Sequence, residues 1–166
     1  MTEITDRSTI AEAKQELRDG WHEGLECPVC TQFVKIYKRK ITSSMAYTLI
    51  LMYRYFKKHR YEEWVHMNDY LNSIEGLPGA IRNTGDNAKL RYWGLLEEKP
   101  EVRNDGSKRA GYWRITELGK KFVEGEVTVQ SHTKIFNSKT YGLIGETIGI
   151  KDALSNKFSY DELMKA

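Results

Sequence analysis

Apolar side chains at Met45, Leu49, Met52, Tyr53 and Phe56 recur every three or four residues, the spacing that gathers them on one face of a helix. The pattern predicts a helix beginning at Ser43 or Ser44, whose hydroxyl can accept from a free first-turn amide. It ends in Lys57, Lys58 and His59, where positive charge meets the negative end of the helix dipole. Ahead of it, Ile10, Ala13 and Leu17 predict a leading helix over residues 7–18, stopped by Gly20. Between the two, Pro28 marks a turn, and Phe33, Val34, Ile36 and Tyr37 predict a strand.

Beyond Trp64 the signals follow one another closely. Residues 65–67 read as a very short strand, Asn68 or Asp69 as the cap of a short helix to about residue 74, and Gly76, Pro78 and Gly79 as a break. A second helix starts at residues 84–86, runs through AKLRYW and closes at Gly94. Residues 95–99 and 112–116 read as strands flanking a polar loop, and TELGKKFVEG as a helix capped by Thr116 and ended by Gly125. Alternation in EVTVQSHTKIF, a turn at residues 137–139 and short apolar runs at 141–144 and 148–150 predict a small sheet or hairpin, followed by a helix from Tyr160. The expected fold class is α+β, in three parts: residues 1–42 with the leading helix and a Cys-x-x-Cys knuckle, residues 43–125 as the main domain, and residues 126–166 as a hairpin and short helix.

The chain has 166 residues, 40% hydrophobic and 30% charged, which fits a soluble globular protein. No apolar run approaches membrane-spanning length, and the acidic, polar start is unlike a secretion signal, so a cytoplasmic protein with no membrane partner is expected. The net charge of +3 is uninformative, but its distribution is not. Residues 1–30 hold seven acids and three bases, whereas residues 31–60 hold eight bases and no acid. Lys35, Lys38, Arg39, Lys40, Arg54, Lys57, Lys58 and Arg60 therefore create a positive segment able to attract phosphates. A solvated face is the bland alternative.

The run LRYWGLLEEK, the loop EVRNDGSKRAG and the strand-to-helix run YWRITELGKKFVEG resemble the winged helix-turn-helix pattern of bacterial transcription regulators. With the CPVC segment and the tail FSYDELM, the whole chain also resembles a group of small uncharacterised phage and prophage proteins, which would place it in a bacterial host cell. The first resemblance implies a recognition helix over residues 86–93. At 100° per residue, Leu90 and Trp93 turn toward the core, while Thr84, Asn87 and Arg91 fall on a side from which Asn can pair with adenine and Arg with guanine. Arg103, Lys108 and Arg109 would be phosphate-seeking residues of the wing. The expected function is duplex DNA binding in a regulatory or accessory role without catalysis, and a homodimer is allowed. The alternative is a phage-encoded interaction module that binds and inhibits a host protein, since fold alone does not decide function.

Cys27 and Cys30 have the spacing that lets two thiolates grip one zinc ion. With only two cysteines in the chain, a closed site needs two of His22, His59, His66 and His132, of which His22, close before the knuckle, and His132, in the tail hairpin, are the candidates, or ligands from a second chain; reduced, buried thiols are the metal-free alternative. No phosphate loop, dinucleotide fingerprint, HExxH helix or nucleophile elbow is present, so no enzymatic activity is expected. Ser131 and His132 are neighbours on a predicted strand, where adjacent side chains point to opposite faces.

Overall fold

The computed structural model describes residues 3–82, 84–100 and 111–165. It is a mixed α+β structure with small antiparallel sheets, and no helix among the described residues is long and apolar enough to cross a membrane. The chain forms two compact units. The first comprises residues 1–39 and 133–142, the second residues 40–132 and 143–166.

The chain opens with helix α1, Ile10–Gly20, whose Thr9 hydroxyl accepts from the Glu12 amide while the Glu12 carboxylate accepts from the Thr9 amide. Gly20 was expected to stop this helix but lies within it, and the capping residue is Trp21. Strands β1, Leu25–Glu26, and β2, Phe33–Val34, form an antiparallel hairpin with Leu25 opposite Val34 and Glu26 opposite Phe33. The expected single strand is interrupted at Lys35 and Ile36, because the Ile36 amide donates to Trp21 O at 2.8 Å. It resumes as β3, Tyr37–Lys40.

The second unit is built around α2, Ser43–Lys58. Thr42 caps it through the Met45 amide, one or two residues ahead of the cap expected at Ser43 or Ser44. Met45, Ala46, Leu49, Ile50 and Met52 are all at most 2% exposed, so α2 is the central element of the core rather than a helix with one apolar stripe. Next come β4, Val65–His66, α3, Met67–Ser73, a 3₁₀ turn, Gly79–Arg82, and α4, Thr84–Asn87, which runs directly into a 3₁₀ segment, Ala88–Trp93. The His66 ring caps α3, its Nδ1 accepting from the Asp69 amide at 3.2 Å, where Asn68 or Asp69 was expected.

Strands β5, Leu96–Glu98, and β6, Tyr112–Ile115, complete a three-stranded antiparallel sheet in the order β4-β6-β5. Helix α5, Glu117–Val123, follows at once. Thr116 accounts for this junction. Its amide donates to Leu95 O, its hydroxyl donates to Gly94 O, and the same oxygen accepts from the Gly119 amide at 3.0 Å.

The tail forms a hairpin of β7, Val129–Phe136, and β8, Lys139–Ile148, joined by Asn137 and Ser138 with φ of 50° and 59°, the pair of left-handed residues that a two-residue hairpin turn demands. β7 is the middle strand of a sheet ordered β3-β7-β8. The strand expected at 148–150 instead yields to α6, Ile150–Leu154, whose Ile150, Ala153 and Leu154 join the α2 core; α7, Tyr160–Lys165, closes the chain.

Tyr70 on α3 donates its hydroxyl to Leu51 O at 3.0 Å, and burial raises its pKa above the ordinary tyrosine value, with Arg54 pulling the other way. A raised folded-state pKa means stability is full below the unfolded value of about 10 and is lost as pH rises through the folded one. Urea melts between neutral pH and about pH 11 should therefore show alkaline destabilisation that Tyr70→Phe reduces, at a cost near neutrality of about 1 kcal/mol for the lost hydrogen bond. An unchanged alkaline slope in Tyr70→Phe would contradict this assignment.

Candidate nucleic-acid interface

The segment from α4 to Gly94 carries the residues expected to read a groove. It is not a regular α-helix. From Ala88 onward the backbone is 3₁₀, in which residues three apart stack on one edge, and Gly94 ends it with φ 73°. Asn87, Leu90 and Trp93 accordingly share a single edge and are 1%, 0% and 3% exposed. Leu90 and Trp93 face the core as expected, whereas Asn87 does not face outward. The expectation applied 100° per residue to a segment that turns by about 120° per residue.

Asn87 is held in the interior. Its Nδ2 donates to Ile81 O at 3.0 Å, and its Oδ1 is buried without a hydrogen-bond partner. That arrangement ties the 3₁₀ turn at Gly79–Arg82 to the segment after it and removes Asn87 from any base-reading role. Trp93 donates from Nε1 to Gln130 O at 2.7 Å, which satisfies the buried indole. Thr84 opens α4, and its side chain lies outside the described residues.

Arg91 lies on another edge, half-buried. One guanidinium nitrogen is 3.6 Å from a Glu98 carboxylate oxygen, the other donates to the Tyr92 hydroxyl at 3.2 Å, and the group sits 4.9 Å from the Tyr92 ring centroid. It is oriented, but part of its charge is already neutralised. Lys89 pairs with Asp86 at 2.6 Å, so the third edge carries both signs. Arg82, at the end of the 3₁₀ turn, is exposed and makes no ion pair among the described residues. Its position immediately before the second helix of the pair was the available signal, and sequence reading missed it.

The basic run divides between the two units. Lys35 is half-buried, Lys38 and Arg39 are exposed on β3, and Lys40 is exposed where the second unit begins. All four residues of β3 are exposed, and β3 is an edge strand. Charge there also discourages edge-to-edge association, a role independent of any ligand. Within the second unit, Lys57, Arg60 and Lys120 line a cavity of about 290 Å³ with Tyr53, Phe56 and Glu124. Glu124 accepts from the Tyr53 hydroxyl at 3.2 Å, and Lys120 pairs with Glu117 at 3.0 Å. On β6, Arg114 pairs with Glu97 at 2.9 Å and stacks over Trp64, so it is already committed. The wing cations Arg103, Lys108 and Arg109 lie outside the described residues.

At the knuckle, Cys27 is buried and Cys30 exposed, both as free thiols. Hydrogen bonds from the backbone amides of Cys30 and Val29 lower the pKa of the Cys27 thiol below its ordinary value, against a smaller opposing effect of burial. His22 belongs to the same unit and meets the edge of Trp21, whereas His132 belongs to the second unit. Among the described residues no three of His, Cys, Asp and Glu are grouped to hold a metal ion.

Ser131 and His132, expected on opposite faces, are joined instead, with Ser131 Oγ 2.6 Å from His132 Nδ1. Gly145 makes this contact feasible, since a Cβ at that position would lie 3.1 Å from His132 Nδ1 and closer still to Ser131 Oγ.

No family model, curated protein or solved structure matches this chain.

Proposed function

We propose that residues 43–125 form a winged-helix module that binds duplex DNA without catalysis, in a regulatory or accessory role. The observation that carries this reading is the element order of the second unit. The strand β4, helix α3, the 3₁₀ turn Gly79–Arg82, the helical segment Thr84–Trp93 and the strands β5 and β6 follow α2 in that order, with the sheet ordered β4-β6-β5. That order leaves the segment 84–93 as the candidate recognition element and residues 99–111 as the candidate wing. Lys38, Arg39 and Lys40 supply exposed positive charge for phosphates.

The side-chain geometry narrows the roles. Arg91 and Lys89 are the base-reading candidates, Arg82 is a phosphate candidate, and Asn87 supports the segment from within. Because Glu98 competes with DNA for Arg91, Glu98→Gln should tighten duplex binding, while Arg91→Ala should relax preference at one base pair by roughly 1–3 kcal/mol. Replacing Lys38, Arg39 and Lys40 together by alanine should weaken binding to all sequences alike. Fluorescence anisotropy with a selected duplex and its scrambled counterpart separates these effects. Equal losses on both duplexes from every variant would exclude base reading by Arg91.

One observation favours a second reading, a protein-binding module. The first unit exposes Ile10, Val29, Phe33 and Tyr37, each more than half accessible, and apolar side chains of this kind anchor protein contacts. A host protein captured by the chain, with no duplex binding at low salt, would replace the DNA reading.

A further inference from the structure

Cys30, exposed, and Cys27, buried, stand three residues apart in the tight turn at the tip of the β1–β2 hairpin. The Cys27 amide donates to Gln32 O at 2.8 Å, the Thr31 amide to Cys27 O at 2.9 Å, and the Val29 amide to Cys27 Sγ at 3.4 Å. Thr31 closes the turn with φ 63°, a left-handed conformation that a β-branched residue adopts only under constraint. A tight Cys-x-x-Cys turn of this form supplies half of a tetrahedral thiolate site.

The remaining half has to be found elsewhere. The chain has only these two cysteines. Of its four histidines, His22 meets the edge of Trp21, His66 caps α3, His132 bonds Ser131, and the ring of His59 packs 4.5 Å from that of Tyr55, and among the described residues none is grouped with both cysteines to hold a metal ion. The surroundings of the knuckle point to where the missing ligands come from. Cys30 faces solvent, and Val29 before it and Phe33 after it in the same hairpin are exposed apolar side chains, at 73% and 64%.

We propose that the knuckle is one half of a zinc site completed by the same knuckle of a second copy, so that two chains share one Zn²⁺ held by four thiolates. The arrangement is isologous. A two-fold axis through the metal brings each Cys27 and Cys30 against their counterparts and lays the two Val29 and Phe33 rims together, covering surface that is otherwise wet. Metal and apolar contact then depend on each other, because neither knuckle alone closes the coordination shell.

The test is titration of reduced, metal-free full-length protein with zinc sulfate, following mass by light scattering and metal by elemental analysis. The expected result is saturation at about 0.5 zinc per chain, the ratio that a four-thiolate site shared by two Cys-x-x-Cys turns requires. The mass should double in step and return to that of one chain on adding chelator. Cobalt substitution should give the absorption of a tetrahedral four-thiolate centre. Cys30→Ser, at an exposed position, should abolish both zinc uptake and dimerisation while leaving the circular dichroism spectrum unchanged. Val29→Lys, which keeps both thiols but charges the rim, should weaken zinc-dependent dimerisation by roughly tenfold or more. One zinc per chain on a monomer, no zinc uptake, or a dimer that persists in Cys30→Ser would each overturn the proposal.

Discussion

Leu90→Ala should lower unfolding stability by roughly 2–5 kcal/mol, the cost of emptying a fully buried leucine site in a packed core. Leu90 lies between Asn87 and Trp93 on the inner edge of the 3₁₀ segment, so the cavity would open beneath the candidate recognition element itself. Asn87→Ala belongs to the same test. It removes the donor to Ile81 O and leaves that carbonyl unmet, so a loss of roughly 1–3 kcal/mol is expected. The buried Oδ1, which has no partner, holds the net loss toward the lower end, because the substitution also removes an unsatisfied acceptor. Urea denaturation of the two variants decides the matter. A neutral Asn87→Ala would return that side chain to the surface and restore the regular helical face that the sequence implied.

Gly119→Ala should be comparably damaging for the opposite reason. Helix α5 packs so closely on the backbone just before β5 that a Cβ at position 119 would collide with Leu95 O and come within 2.7 Å of Ile115 Cγ1. Neither obstacle yields easily, since one is backbone and the other a side chain 5% exposed in the core. Overpacking at such a site costs roughly 3 kcal/mol. The Thr116 hydroxyl, which accepts from the Gly119 amide, would be pushed out of its capping position at the same time. A thermal midpoint unchanged in Gly119→Ala would show that the α5 packing is looser than described.

These two sites also show what the sequence could and could not reveal. The Thr-Glu-Leu-Gly run was legible as a strand-to-helix junction because cap chemistry is local, depending on residues three apart. What was not legible was why glycine stands at 119, since its neighbour Leu95 is distant in sequence. Around Asn87 the failure was one of period. Helix existence and its end at Gly94 followed from composition, but whether the backbone is α or 3₁₀ is set by packing against Ile81 and the core, and the choice rotates every face. Thr42 and His66 displaced the expected caps by one to three residues, as local signals allow when several capping residues stand in a row. The Ser131–His132 contact depended on a glycine in the facing strand, which no reading of β7 alone contains.

The site itself was legible only as charge. The uneven placement of lysines and arginines pointed to the exposed cations at Lys38, Arg39 and Lys40. The pairing of Arg91 with Glu98 and of Arg114 with Glu97 was not, because each joins side chains brought together by the fold rather than by spacing along the chain.

The most direct test of DNA binding is the affinity of the purified chain for a random duplex over a series of salt concentrations. Cations that neutralise phosphates release condensed counterions, so log K should fall linearly with log salt, by about 0.9 for each phosphate engaged. A slope corresponding to about four or more phosphates, reduced by about 2 or 3 when Lys38, Arg39 and Lys40 are replaced by alanine, is the predicted result. Absence of duplex binding at low salt, or binding whose strength is indifferent to salt and to those three residues, would contradict it.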